Sequence, residues 1–278
     1  YALSFNPDKL NIVYAAVRER TTYSPDPHYP GGVYKSTNGG SNWTQKSAGL
    51  PDDYVYDIAV DPNTTNTLYV AMHKTGVYKS QNAAESWFSV NNNIHYRDIR
   101  SIDINPDNSD VYVAMYDGKG AAYLPHGSSN WVPISSAVNQ GLYVYDLTLD
   151  PYDQSALYLS TSTGVFRCPG NPYPNGSSTC SLLTQSGRFI YDLTLDPRNV
   201  NASGDISRIF IAMLNYGIFR STNAGVSFDP SFSGIKANVV VSILNNPTDP
   251  SILYISSFGR GIYKSVDAGS TWTRLSNG

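Results

Sequence analysis

An apolar stretch that ends in Asp-Pro or Asn-Pro occurs six times along this chain, and that recurrence constrains the fold more than any other feature. The six are Phe5-Asn6-Pro7, Val60-Asp61-Pro62, Ile104-Asn105-Pro106, Leu149-Asp150-Pro151, Leu195-Asp196-Pro197 and Asn245-Asn246-Pro247. Their prolines stand 55, 44, 45, 46 and 50 residues apart. The long first spacing contains the loop Arg18 to Gly31, and the long last one contains an insertion around Asn199 to Ser207. A shared period near 45 points to one supersecondary unit repeated throughout.

Each repeat has the same internal grammar. An alternating strand such as Tyr56-Asp57-Ile58-Ala59-Val60 leads into the Asx-Pro turn, where proline presets φ and the Asx side chain bonds back to the chain. A second strand follows, as in Thr67-Leu68-Tyr69-Val70-Ala71, then a short third that starts at glycine, as in Gly76-Val77-Tyr78-Lys79-Ser80. After a tight turn a fourth strand opens on an aromatic residue: Trp43, Trp87, Trp131, Phe228 or Trp272. No stretch carries helix caps with a 3.6-residue period. The 22 tyrosines suit strands, while 22 glycines and 17 prolines suit the turns between them. Four short antiparallel strands per repeat predict an all-β fold, a six-bladed β-propeller. The expected blades run approximately 1–50, 51–95, 96–140, 141–186, 187–236 and 237–278 of a single domain.

The turn between the third and fourth strands carries a family motif. Ser265-Val266-Asp267-Ala268-Gly269-Ser270-Thr271-Trp272 matches the Asp-box pattern Ser-x-Asp-x-Gly-x-x-Trp in full. Ser36 to Trp43, Ser80 to Trp87 and Ser221 to Phe228 keep the frame with Asn38, Asn82 and Asn223 at the Asp position, and Ala84 replaces glycine in the second. The third repeat has a remnant, Leu124 to Trp131. The whole chain thus resembles the Asp-box (BNR-repeat) propellers, which include sialidases, sortilin-type receptors, xyloglucan-cleaving glucanases and photosystem II assembly propellers. The resemblance implies that the box is a folding device. Its short polar side chains hold turn amides, and its aromatic fills the space between strands.

In the fourth repeat the place of the box is taken by a Pro/Gly/Ser loop between Cys168 and Cys180, the two cysteines of the chain. A close pair in an otherwise cysteine-free sequence reads as a local disulfide and an oxidising compartment, with two free thiols as the alternative. The disulfide would stand in for the missing box as a covalent clip. Sequons occur at Asn42, Asn63, Asn175 and Asn201; they matter only where exported proteins are glycosylated. No apolar run approaches membrane-spanning length, Ala237 to Leu244 being the best candidate. No signal peptide is visible and the chain starts at Tyr1, which fits a mature product or part of a longer protein. With 15% charged residues and a net charge of −3, there is no basic footprint for nucleic acid. The chain is expected outside the cell or at its surface.

A site is expected where the leading ends of the innermost strands meet the loops that join second to third strands. If the first strand of each repeat is innermost, as in the resembled family, its first position holds Tyr1, Tyr56, Arg100, Tyr145, Tyr191 and Val241. The next holds Ala2, Asp57, Ser101, Asp146, Asp192 and Ser242. Three Tyr-Asp pairs with Arg100 and Asp98 suit sugar stacking with hydroxyl recognition, or a cationic ligand. The repeat also explains them without a ligand: tyrosine packs between blades and aspartate caps the strand turn. The loop Arg18 to Gly31, with Tyr23, His28 and Tyr29 among prolines, reads as a recognition element, an intermolecular contact or a plain insertion.

Enzyme readings find less support. The Arg-Ile-Pro segment of sialidases is absent; the nearest match is Arg208-Ile209-Phe210 in the fifth repeat. An inverting glycosidase needs two carboxylates about 6.5–9.5 Å apart, which Asp57, Asp146 and Asp192 are placed to supply. The four histidines (28, 73, 95 and 126) have no zinc spacing, and no cofactor is implied. The acidic turn Asn105 to Asp110 reads as a plain turn rather than a Ca²⁺ loop, which would need a glycine and a terminal glutamate. The reading that leads is a non-catalytic module that binds a protein or glycan, or a structural subunit that assembles with its own copies in a filament or surface layer. A glycoside hydrolase is the runner-up.

Overall fold

The computed structural model describes residues 2–17, 31–95, 97–118, 120–134, 141–169, 179–185, 187–201, 204, 206–236, 239–246 and 248–275. It is all-β: six antiparallel sheets of four strands, each with its strands in chain order, are the blades of a β-propeller. The first strands are Ala2–Asn6, Val55–Val60, Ile99–Ile104, Val144–Leu149, Ile190–Leu195 and Val240–Asn245. Four of the fourth strands have two residues starting just after the box aromatic, Thr44–Gln45, Phe88–Ser89, Asp229–Pro230 and Thr273–Arg274, and blade 3 has Val132–Pro133. Blade 4, where the box is missing, has a longer one, Ser181–Gln185. Among the described residues no helix is long and apolar enough to cross a membrane. Two compact units divide the blades, 1 to 3 in one and 4 to 6 in the other.

Every Asx-Pro turn closes as an Asx turn. Asn6, Asp61, Asn105, Asp150, Asp196 and Asn246 each accept the backbone N–H two residues on, at 2.8–3.0 Å. The four Asp-box turns share one geometry as well. Ser36, Ser80, Ser221 and Ser265 Oγ accept the N–H four residues on at 2.9–3.0 Å, and the Asx side chain two residues later does the same at 2.8–3.0 Å. These are polar groups satisfied within a few residues, so the turn forms from local sequence alone.

Blades are joined by a repeated set of contacts within each unit. A second-strand aromatic of one blade packs on the next. Tyr14 sits with Ile58, Leu68 and Val70, and Tyr69 with Ile102, Val111 and Val113. In the other unit Tyr158 sits with Leu193, Ile209 and Ile211, and Phe210 with Ile243, Leu253 and Ile255. Each such ring removes enough apolar area from water to contribute about 1.5–3 kcal/mol. The box tryptophan faces the other way. The Nε1–H of Trp87 donates to the Lys46 carbonyl at 2.8 Å, that of Trp131 to Val90 at 2.6 Å, and that of Trp272 to Ser231 at 2.8 Å. The box aromatic therefore does more than fill its own blade, because it bolts that blade to the preceding one. A third-strand cation completes the junction: Lys35 donates to the Ala83 carbonyl at 3.0 Å, and Arg220 to Ala268 at 2.8 Å, both in the next blade's box turn.

The expected disulfide is present. Cys168 and Cys180 are bonded across the loop where blade 4 lacks its box, and Cys168 is fully buried.

Candidate functional site

First strands of neighbouring blades lie against each other within both units: Ala2–Asn6 on Val55–Val60 and that on Ile99–Ile104, then Val144–Leu149 on Ile190–Leu195 and that on Val240–Asn245. At the leading end of five first strands the ladder slips by one residue, and the extra residue is Tyr56, Arg100, Tyr145, Tyr191 or Val241. A bulge leaves its extra residue unpaired and re-aims the side chain. The positions singled out from sequence are thus bulge positions.

In the first unit the bulges build an aromatic–guanidinium cluster. Arg100 lies between two rings, its guanidinium 4.1 Å from the centroid of Tyr56 and 4.1 Å from that of Tyr116. Its Nε is 3.0 Å from Asp98 Oδ1, and Nη2 donates to Asp98 Oδ2 at 3.3 Å. Burial pushes the Asp98 carboxyl above its ordinary range, while the Arg100 charge pulls it back. His73 meets Tyr56 edge-on at 5.6 Å and Tyr54 at 5.4 Å, with Nδ1 3.4 Å from Asp53 Oδ1. Beside His73 opens a cavity of about 330 Å³ lined by Ser47, Pro51, Asp53, Tyr54 and Lys74 among others. Stacked arginine and half-buried rings suit a planar or sugar-like face, and the adjoining cavity has room for a side chain or a monosaccharide.

The second unit carries a second aromatic group. Tyr145 and Tyr191 meet edge-to-face at 5.2 Å, and Phe189 lies 5.9 Å from Tyr145. Arg188 stacks on Tyr216 at 3.5 Å.

The aspartates of the Tyr-Asp pairs have a different occupation. Asp57 Oδ1 accepts the N–H of Ile58 at 2.8 Å, and its Oδ2 accepts that of Ile102 in the next blade at 2.9 Å. Asp146 Oδ2 accepts from Leu193 at 3.4 Å and Asp192 Oδ2 from Ile243 at 2.7 Å, again one blade on. Asp192 also lies within hydrogen-bonding reach of Asp146 and of Ser242; burial raises its carboxyl above the ordinary value, and these hydrogen bonds draw it back.

Sequence reading did not find Tyr54, His73, Tyr116, Phe189, Arg188 or Tyr216. A signal was available for two of them: His73 and Tyr116 each directly follow the second-strand methionine, Met72 and Met115, in the loop to the third strand. Tyr1, Tyr23, His28, Tyr29 and the sequon Asn175 lie outside the described residues. Of the other sequons, Asn42 and Asn201 are exposed. Asn63 Nδ2 donates to the Pro106 carbonyl at 2.8 Å and to Ser109 Oγ at 3.0 Å, so a glycan there would displace a bond between blades 2 and 3. In the acidic turn, Asn105 and Asp110 accept the N–H groups of Asp107 and His126 at 2.8 and 2.7 Å.

No protein-family profile matches the chain, and no curated protein matches its sequence. Solved structures do match its fold. A GH74 enzyme of Niastella koreensis superposes with a TM-score of 0.73 at 16% identity over 98% of this chain and 46% of its own. PorZ, a surface component of the type-IX secretion system of Porphyromonas gingivalis, gives 0.71 at 16% over 99% and 41%. YCF48 bound to D1 peptide gives 0.65 at 14% over 95% and 78%. This chain spans less than half of the first two. The likeness shows the β-propeller fold, and the matched structures include an enzyme, a secretion-system component and a peptide-bound protein.

Proposed function

We propose that this six-bladed Asp-box propeller is a non-catalytic interaction module, secreted or held at a cell surface, that binds a protein or glycan at the leading ends of its first strands. One observation carries the reading: at the leading end of blade 2 the Asp57 carboxylate holds the next blade's backbone, while the Tyr56 ring beside it stays half-exposed against the stacked Arg100. The recognition residues are Tyr56, Arg100, Tyr54, His73 and Tyr116 in the first unit, and Tyr145, Tyr191 and Phe189 in the second. Asp57, Asp146 and Asp192 act as supports for them. The disulfide and the likeness to a bacterial surface component support an extracellular placement.

The likeness to GH74 enzymes keeps a glycoside hydrolase as the second reading, with its acid and base drawn from Asp57, Asp146 and Asp192. Against it stands the contact between Asp146 and Asp192, closer than the roughly 6.5–9.5 Å that an inverting pair leaves for water.

Glycan and peptide arrays with the native chain, followed by a reducing-sugar assay on every glycan bound, separate the two. Binding lost in Tyr56→Ala and in Arg100→Gln, with no sugar released, is the expected result. Sugar release abolished by Asp57→Asn in a folded variant would establish the hydrolase instead.

A further inference from the structure

A cation on the third strand of one blade reaches the turn that follows the third strand of the next. In blade 1 Lys35 donates to the Ala83 carbonyl at 3.0 Å and lies 3.9 Å from the Glu85 carboxylate, which also pairs with Lys46. In blade 5 Arg220 donates to the Ala268 carbonyl at 2.8 Å and to Ser270 Oγ at 3.3 Å. In blade 4 Arg167 turns instead to Asp153 of its own blade, at 3.1 Å. Blade 2 differs. Lys79 is half-buried and lies 5.2 Å above the Tyr69 ring, much as Lys35 lies 5.6 Å above Tyr14. Its ammonium has three donors, and among the described residues none of them meets an acceptor.

The cause lies in the blade 3 turn. Ser80 and Leu124 hold the same place in their sheets, each opposite the first residue of the second strand, and each precedes its tryptophan by seven residues. Ser129, two residues before Trp131, therefore stands where Glu85 stands in blade 2. Leucine cannot hold turn amides as Ser80 Oγ does, and this turn closes through the Ser128 N–H on the Pro125 carbonyl at 2.9 Å. Beside it opens a cavity of about 350 Å³. Lys79, Ser128 and Ser129 give it polar groups, and Phe88, Val90 and Leu124 give it apolar walls. All six belong to the first compact unit. Lys79 pairs with Tyr69 near the trailing end of blade 2, whereas the Tyr56 bulge is at the leading end.

We propose that this cavity takes a glutamate side chain of a partner protein, with Lys79 as the counter-ion. Ser129 donates a second hydrogen bond to the carboxylate, and Phe88 and Leu124 pack on the aliphatic stem. The occupant is identified by the junction of blades 1 and 2. There the chain sets its own glutamate, Glu85, beside the equivalent cation Lys35; here it sets a serine. The uncompensated ammonium selects an anion, and the apolar walls select one carried on a short hydrocarbon stem over a bare ion. The site shares no residue with the Tyr56–Arg100 cluster and does not rest on the reading of that cluster.

Titration of the native chain with the blocked peptide acetyl-Gly-Leu-Glu-Leu-Gly-amide, followed by NMR at the Phe88, Ser128 and Ser129 amides, tests it. Saturable shifts at those amides that fade as salt is added, and that are absent when Gln replaces Glu in the peptide, are expected. Lys79→Met keeps a stem over Tyr69 and removes the charge. It should weaken binding by about 10-fold or more with an unfolding curve close to the native one. Ser129→Glu supplies the carboxylate from the chain itself, so it should raise the denaturant midpoint and lose the peptide. The absence of saturable shifts overturns the proposal, as does binding that survives Lys79→Met or is equally strong with the Gln peptide. Shifts at the same amides with a galacturonate oligomer but not with the peptide would assign the site to an acidic glycan, and would overturn the protein partner. Tyr56→Ala should leave this titration unchanged, so failure at the leading ends and failure here are told apart.

Discussion

The Asp57 carboxylate accepts the backbone N–H of Ile102 at 2.9 Å, and this single bond joins the bulge of blade 2 to the first strand of blade 3. The same carboxylate holds its own strand through Ile58. It sits beside Tyr56 and so helps to set the ring that stacks on Arg100.

That arrangement makes Asp57→Asn a stability variant. An asparagine carbonyl replaces one of the two acceptor oxygens and turns an amide NH₂ toward the other N–H. Leaving one buried donor unmet costs about 1–3 kcal/mol, which a urea titration will resolve. Ligand binding by the folded fraction should be unchanged. A variant of native stability that has lost binding would place Asp57 on the ligand.

The box tryptophans differ in exposure, Trp87 at 4% and Trp43 at 39%. Trp87→Phe removes the N–H that reaches Lys46 and leaves space where the indole was, for about 1–3 kcal/mol. Trp43→Phe, made at the exposed ring, should change the stability of the dilute chain by less than about 0.5 kcal/mol. Equal losses in the two variants, measured by denaturant unfolding at low concentration, would count against the junction role of the indole.

What the sequence revealed and what it hid follow from distance along the chain. The Asx-Pro turns and the Asp-boxes were legible because Asn6, Ser36 and their counterparts bond to amides two to four residues away. The indole of Trp87 bonds 41 residues back, and Asp57 bonds 45 residues forward, so their partners appear only once neighbouring blades are stacked. Repetition put Tyr56, Arg100, Tyr145 and Tyr191 at one structural position, which was readable. It did not reveal that the position is a bulge, since a bulge is a mismatch of two strands and neither strand's sequence records it. His73 and Tyr116 escaped because they sit in loops of unlike composition, where only alignment on Met72 and Met115 reveals the shared position.

The Cys168–Cys180 bond should act as the clip that blade 4 has in place of a box. Closing so short a loop restricts the unfolded chain by about 3 kcal/mol in the chain-entropy model. Replacing both cysteines with serine is expected to lower the melting temperature by several degrees, and reduction of the native chain should do the same. Cys168 is fully buried, so the serine pair also leaves a hydroxyl in an apolar place, and Ala at both positions separates that effect. Melting curves that coincide with the native one in both variants would remove the clip role.

Asp192 sets a pH dependence whose direction can be worked out. Its carboxyl is raised above the ordinary value of 3.8, first by burial, while the proton shared with Asp146 and the hydrogen bonds it accepts from Ile243, Ser242 and Leu193 act in the opposite sense. A raised folded value means that the folded chain holds this proton to higher pH than the unfolded chain does. The contribution of the group to stability is therefore greatest below pH 3.8, falls as pH rises above it, and levels off once the folded value is passed. Asp192→Asn is a permanently neutral replacement that keeps a carbonyl for the Ile243 N–H and gains an NH₂ for the Asp146 carboxylate. Relative to the native chain it should gain stability as pH rises from acid to 7, because it carries no proton to lose. Denaturant midpoints of both proteins at the two pH values check this. An Asp192→Asn chain that loses stability relative to native from acid to pH 7 would show that the ionised carboxylate is the better partner for blade 6.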